Sequence, residues 1–370
     1  MEKKKIKNII SIVLLSALAL IIVGALMFYL LIVAGLSPKL QETWVCTAMT
    51  TLNHKYLATS FFSEEKINEI MERNKVDDSG YDSEIITFEK NPDDETKDKQ
   101  LEQLEQTEIE PVDPYLEEGY TLLEEGVYIK DVSDLTWRGK VMLISDPTRV
   151  KLVDTKNQYV CGEKVEMMTE RVGAVAGING GGFIDGANFD SNGGTPMGII
   201  IEDGVLVCPT YPDNYYTQTM IGINSEGALI LRHVTPQWAL DNDIQSAVSA
   251  LCYLVVNGEG LISKNGGSWG IAPRTAIGQR KTGEYLFLTV DGRQADWSIG
   301  CDLIDLEKVM LDEGAYNAAM VDGGTSTVMV YQNEIINRPS NGEGRWINNA
   351  FVVMPIDKSV KPEESPTPAQ

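Results

Sequence analysis

From Asn8 to Pro38 the chain carries no charged residue. Its apolar part, Ile9 to Leu36, would be roughly 40 Å long as a helix rising about 1.5 Å per residue. That exceeds the ~30 Å hydrocarbon core of a bilayer, so a spanning helix with some tilt is expected. A cleaved signal peptide would have a shorter apolar core of roughly 7–15 residues and a small-residue cleavage site. Lys3, Lys4, Lys5 and Lys7 precede the run, and only Lys39 follows closely. The positive-inside rule then leaves the N-terminus cytoplasmic and everything after Ser37 outside the cytoplasm. The expectation is a single-pass cell-membrane protein, anchored through residues 8–36, with an extracytoplasmic domain.

Behind the anchor the charge reverses. Residues 37–135 hold 25 Asp or Glu against 9 Lys or Arg, so they carry −16 of the chain's net −23. Asp93 to Asp113 is acidic, poor in apolar residues and followed closely by Pro114, and reads as a solvated linker. Before it, Ser63 followed by Glu64 and Glu65 has the look of a helix start, with Ile67, Ile70 and Met71 on one face. His54, in the same region, reads as a helix or membrane-interface side chain. Residues 37–119 are therefore expected to be an acidic stalk with a short helix. So acidic a chain lacks the clustered positive charge that nucleic-acid binding requires, so no nucleic-acid partner is expected.

From Tyr120 short apolar runs alternate with Gly, Asn and Asp turns, for example KVMLISD, MGIIIEDGVLV, EYLFLTVDGR and NAFVVMP. These are strands, several joined as hairpins such as Glu202-Asp203-Gly204. Two helical patterns interrupt them. Gly162 to Gly173 aligns Val165, Met168 and Val172, and Asp302 to Gly314 aligns Leu303, Leu306, Val309 and Met310. The fold class expected is α+β: a single domain, 120–356, on mixed or antiparallel sheet with a few helices. The polar tail 357–370 is expected to be disordered.

Four segments offer polar groups at the ends of apolar strands, where rigid scaffolds commonly carry sites. In Gly177 to Phe183, three consecutive glycines (Gly180, Gly181, Gly182) could expose N–H groups to an anion, and Asn179 supplies an amide. Such glycine runs also occur in plain loops. In Pro273 to Gly278, Arg274 could fork onto phosphate or carboxylate, or simply make a surface ion pair. Val290-Asp291-Gly292-Arg293 offers Asp291 as an acid or base and Arg293 as an anion guide, or a plain Asp-Gly type I′ turn. Asp322 to Thr327 gathers one carboxylate, Gly323, Gly324 and the hydroxyls of Thr325, Ser326 and Thr327, more than a turn requires.

Other chemistries are poorly supplied. The chain has 2 His and 5 Cys, with no HExxH, CxxC or Asp-x-Asp-x-Asp spacing, so neither a metal nor another cofactor is expected. Outside the cytoplasm, pairs among Cys161, Cys208, Cys252 and Cys301 are possible, but the sequence does not give their connectivity.

In order, the four segments resemble the phosphodiester glycosidase family: an Asn-Gly-Gly-Phe loop, Pro-Arg-Thr-Ala-Ile-Gly, a strand ending Asp-Gly-Arg, a helix, then Leu-Asp-Gly-Gly-Gly-Ser-Ser-Thr-Met and a late Arg. The matching positions are Asn179 to Phe183, Pro273 to Gly278, Asp291 to Arg293, Asp322 to Met329, and Arg345 before the final apolar strand. The resemblance covers roughly Val141 to Pro355. Two departures matter: an extra glycine precedes Phe183, and Thr325 stands where the family has glycine, adding a Cβ near the ligand.

The resemblance implies hydrolysis of the bond between a sugar anomeric carbon and a phosphodiester, in a cell-envelope or extracellular glycan. It assigns the phosphate to Arg274, the Gly180–Gly182 amides, Arg293 and Arg345, and sugar hydroxyls or phosphate oxygens to Asn179, Thr325 and Ser326 beside Gly323 and Gly324. Asp322 is the first candidate to stabilise the positive anomeric centre or to position water, and Asp291 the second. Two other functions fit the same residues: a non-catalytic module holding an anionic envelope polysaccharide, or a glycosyl-phosphate transferase in exopolysaccharide assembly.

Overall fold

The uncharged run becomes one helix, Glu2–Phe28, extended by a wider turn over Tyr29–Val33. The structure is a computed structural model, and it describes residues 2–51, 54–87, 113–186, 191–208, 216–265, 267 and 269–356. Lys5–Val33 is the one helix among the described residues long and apolar enough to cross a membrane, with mean hydropathy 3.0 and none of that stretch buried. Most of the acidic linker and all of the tail 357–370 lie outside the described residues.

The chain divides into two units: Met1–Val76 with Gly266–Ile271, and Asp77–Asn265 with Ala272–Gln370. In the first unit, helices Pro38–Met49 and Glu64–Arg73 bury Val45, Cys46, Ile67 and Ile70 against one another. Ser63 caps the second of these by accepting from the Lys66 N–H.

The second unit is built on three sheets, all of whose pairings are antiparallel. The 8-stranded sheet runs β1 (Thr121–Glu124), β2 (Val127–Ser133), β3 (Arg138–Ile144), β14 (Tyr285–Val290), β13 (Arg274–Arg280), β15 (Ala315–Met320), β11 (Cys252–Val256), β12 (Glu259–Gly260). A 5-stranded sheet orders β7 (Val205–Cys208), β6 (Ile200–Glu202), β10 (Ile244–Ser249), β8 (Gln218–Asn224), β9 (Leu229–Val234). The other 5-stranded sheet orders β17 (Glu334–Ile335), β16 (Met329–Tyr331), β5 (Ala176–Asn179), β18 (Asn349–Val353), β4 (Val150–Asp154). The α+β class on antiparallel sheet therefore holds, and among the described residues none of the three sheets closes into a barrel.

Local chemistry explains the elements. The Asp203-Gly204 pair takes positive φ at both positions, as a two-residue type I′ hairpin between β6 and β7 requires. The helix Leu303–Asp312 is capped by Asp302, which accepts from the Asp305 N–H. It turns Leu303, Leu306, Val309 and Met310 inward and ends before Gly314 at φ 81°. The helix Val165–Val172 ends on Gly173 in the left-handed region. One apolar core joins the three sheets, with Tyr253, Tyr285, Phe287 and Phe351 among its largest fully buried side chains. Each such side chain stabilises by about 1.5–3 kcal/mol through removal from water.

Four strands fall where the sequence expects none: β1, β4, β5 and β10. The glycine segment read as a loop begins inside β5, the strand at the centre of its sheet, which takes Gly177, Ile178 and Asn179. Gly177 is a glycine because the backbone of Phe351 passes so close that a Cβ would meet its oxygen at 3.0 Å.

Candidate active site

Antiparallel register brings three of the four polar segments to one end of the eight-stranded sheet. Arg274 opens β13 and pairs with Val290, which closes β14; Ala276 pairs with Met320, which closes β15. Arg274, Asp291 and Asp322 thus leave adjacent strands at the same edge. The fourth segment arrives from the other sheet: the Asp322 N–H donates to the Gly180 carbonyl at 3.0 Å.

Asn179 joins the two sheets beneath this edge. Fully buried, it donates from Nδ2 to the Asp322 carbonyl at 2.6 Å, and its Oδ1 accepts from the Thr275 hydroxyl at 2.8 Å and the Val328 N–H at 3.2 Å. Its amide is thereby committed to the protein rather than turned to a ligand. The glycines behave likewise. The Gly180 N–H donates to the Asn349 carbonyl at 3.0 Å and the Gly181 N–H to Asn349 Oδ1 at 2.7 Å, while the Gly182 carbonyl accepts from Met197. None of the three has positive φ, and a Cβ on Gly180 would meet Asn349 Oδ1 at 2.1 Å. They are glycines for close packing, and the geometry gives no anion nest from Gly180 and Gly181.

Asp322 is partly buried at the strand end. Its carboxylate accepts from the Gly323 N–H at 2.9 Å and from Ser326. Burial pushes its pKa up to about 6, against the lowering effect of those two donors and of Arg345. Asp185, two residues after Phe183, also acts on Asp322, raising its pKa. Arg345 grips Asp185 with both arms, Nη1 to Oδ2 at 2.5 Å and Nη2 to Oδ1 at 2.8 Å, and lies 4.8 Å from the centre of the Phe183 ring. Burial alone would raise the Asp185 pKa. Hydrogen bonds from Arg345 and Ser191, with the Arg345 charge, bring it below the ordinary carboxylate value instead. Two carboxyls around one guanidinium are thus driven in opposite directions.

Arg293 donates from Nη1 to the Thr325 hydroxyl at 3.1 Å, and a Cβ on Gly324 would lie 3.2 Å from its Nη2. Enclosure of its head group lowers its pKa; the charge of Arg274 adds to that and Asp322 opposes it, so these three groups share one neighbourhood. Arg274 is buried, its Nε donating to the Cys301 carbonyl at 3.4 Å. Thr325 has an ordinary backbone and Gly324 beside it takes φ 64°, so the threonine in place of glycine brings no backbone strain.

Asp291 stands apart. It is 5% exposed, and its carboxylate accepts from Trp297 Nε1 at 2.8 Å, Asn337 Nδ2 at 2.9 Å and the Arg338 N–H at 3.0 Å. It is absent from the causes that set the Asp322 pKa. Neither Asp291 nor Gly292 has positive φ, so the segment is not a type I′ turn. The three donors make Asp291 the tie that holds two loops together.

Asp185 is the group that sequence reasoning missed; its only signal was a carboxylate just beyond the glycine segment. Among the described residues no group of three or more His, Cys, Asp or Glu is positioned to hold a metal, and no two cysteines are joined in a disulfide.

Comparison with known proteins bears on this geometry. Residues 172–354 match the family model described as phosphodiester glycosidase, and this span contains all of the site residues above. The chain is 27% identical over 198 residues to the SPbeta prophage-derived uncharacterized protein YomE of Bacillus subtilis, covering 52% of this chain and 29% of that protein. It is 24% identical over 174 residues to human N-acetylglucosamine-1-phosphodiester α-N-acetylglucosaminidase, covering 42% of this chain and 33% of that one. The matches thus span about a third of the length of these relatives. Among solved structures, the catalytic domain of the zebrafish N-acetylglucosamine-1-phosphodiester α-N-acetylglucosaminidase, auto-inhibited by its pro-peptide, shares the fold. Its TM-score is 0.51 at 24% identity, covering 62% of this chain and 82% of that one.

Proposed function

Since residues 172–354 carry a phosphodiester glycosidase domain, we propose that this protein hydrolyses a sugar-1-phosphodiester bond in an extracellular or cell-envelope glycan, from a membrane anchor. The observation that carries the proposal is the meeting of Asp322, Asp185 and Arg345 with Arg293 and Arg274 at one sheet end. Pairs of carboxyls with pKa values driven apart are the mark of divided acid–base roles. Ionised Asp322 takes a proton from water, whose oxygen bonds to the anomeric carbon as the bond from that carbon to the phosphate oxygen breaks. The phosphate leaves as an anion and needs no proton. Its charge meets Arg293 and Arg274. Asp185, held ionised by Arg345, stabilises the positive charge developing on the sugar ring. Thr325 and Ser326 border the same space. Of the roles the resemblance implies, this gives Asp185 the place of Asp291, and makes Asn179, Gly180 and Gly181 supports of the site.

The printed activity of the human relative supports the bond type. The apolar helix Lys5–Val33 supports an anchor, and the lysines before it favour a cytoplasmic N-terminus with the domain outside. Incubating the full chain in detergent with sugar-1-phosphodiesters and identifying the products tests the reaction. Free sugar plus a phosphomonoester is expected; transfer of the sugar to another acceptor would point to a transferase, and no turnover to a binding module. Protease shaving of intact cells should release the domain, and its failure to do so would overturn the topology.

A further inference from the structure

The loop after β14 reaches away from the site as well as into it. It closes on itself: the Arg293 N–H donates to the Ile299 carbonyl at 3.2 Å and the Gln294 N–H to the Ser298 carbonyl at 2.9 Å. One arm delivers Arg293 to Thr325. The tip carries Trp297, which is 41% exposed although its indole N–H is pinned by the buried Asp291 carboxylate at 2.8 Å. An exposed aromatic ring is ordinarily free to turn, but this one is fixed by a charge-assisted bond. Two guanidiniums flank it, Arg138 at 4.9 Å and Arg338 at 5.6 Å from the ring centre. Arg338 is shared with Asp296 at 3.3 Å, whereas Arg138 has no carboxylate partner among the described residues. The backbone beneath is fixed too, since the Asp291 N–H donates to the Arg138 carbonyl and the Arg138 N–H to the Ser298 hydroxyl.

We propose that Trp297 and Arg138 form a second binding subsite, for a neighbouring anionic repeat of a glycan whose bond is cleaved at Asp322. This rests on the glycosidase reading above. The exposed part of a rigid indole offers apolar surface to sugar C–H groups, and the Arg138 guanidinium lying over the ring, with no carboxylate partner among the described residues, matches phosphate or carboxylate. Only three residues lie between Arg293, at the reacting phosphate, and Trp297. The subsite therefore selects a charged polymer over a single sugar phosphodiester.

The test measures binding and turnover separately, in the full chain. Binding is titrated calorimetrically with a polysaccharide whose repeats are joined through sugar-1-phosphodiester bonds, in the Asp322→Asn background. Adding Trp297→Ala or Arg138→Gln should weaken it about tenfold, a loss of about 1.4 kcal/mol. Turnover is compared between that polymer and a methyl sugar-1-phosphodiester. Both variants should raise KM for the polymer and leave kcat and KM for the methyl compound unchanged. Unaltered polymer binding in both variants, or equal effects on the two substrates, would overturn the subsite. Polymer binding that depends on Trp297 in a protein that cleaves neither substrate would keep the subsite and refute the glycosidase reading.

Discussion

Two loops of this molecule share the same three residues, Val-Asp-Gly, at the ends of the two buried strands that flank β13: Val290 to Gly292 and Val321 to Gly323. The Asp291 carboxylate is surrounded by three donors, Trp297 from its own loop and Asn337 and Arg338 from another. The Asp322 carboxylate is met by its own loop alone, Gly323 and Ser326, and faces charged groups that pull its pKa both ways. Identical local sequence thus yields a structural tie in one place and, in the other, a carboxyl with a raised pKa that is the proposed general base. The number and origin of the donors make that difference, and they are set by tertiary structure.

Exchanging each carboxylate for its amide breaks the comparison most directly. Asp322→Asn should lower kcat by about 10²–10⁴-fold, the usual worth of a general base, without loss of fold; circular dichroism and single-turnover assays check both. Asp291→Asn should act mainly on stability. A charged acceptor contributes about 1.5–3 kcal/mol to a hydrogen bond, so denaturant unfolding should show a loss of that order. If Asp291→Asn abolished turnover while leaving stability untouched, the two assignments would have to be exchanged.

The pH dependence sharpens the contrast. Activity that needs ionised Asp322 should rise as pH increases through about 6. The stability effect has the opposite sign. The folded pKa of Asp322 lies above its unfolded value, so its contribution is full below the ordinary carboxylate range and is lost as pH rises through about 6. Asp322→Asn should therefore raise Tm at neutral pH and remove that slope. The smallest effects concern the neighbouring turn. Gly324→Ala puts a Cβ at φ 64° and should cost about 1–2 kcal/mol, whereas Thr325→Gly, with no strain to relieve, should cost about 0.5–1 kcal/mol. Thermal unfolding of both variants measures the difference.

The sequence carries the fold class well where apolar periodicity is strong, as in β3, β14 and the helix Leu303–Asp312. It fails for β10, where Gln245 and Ser246 interrupt the apolar run. Ser246 is tolerated inside because its hydroxyl accepts from the Leu152 N–H at 3.1 Å, a partner 94 residues away. Asp322, Arg274, Arg293 and Arg345 are legible as candidates because motif order marks them. Asp185 is not, since its importance lies in Arg345, 160 residues later. Asn179 and the glycines illustrate the reverse case. Their motif is plain to read, yet its purpose, packing against Asn349, emerges only when β5 and β18 pair.

The staple at Asn179 has a consequence for the order in which the protein is completed. Its bonds to Asp322 and Val328 close chain separations of 143 and 149 residues, and Asn349 closes 168 back to Gly181. Contacts so distant in sequence form slowly, after local hairpins have collapsed. Of the described strands β18 is synthesised last, and both Asn349 and nearby Arg345 arrive about when it does. A chain released early would have most of its sheets but neither the support under the glycines nor the partner of Asp185. The proposed activity would therefore require that synthesis has reached β18.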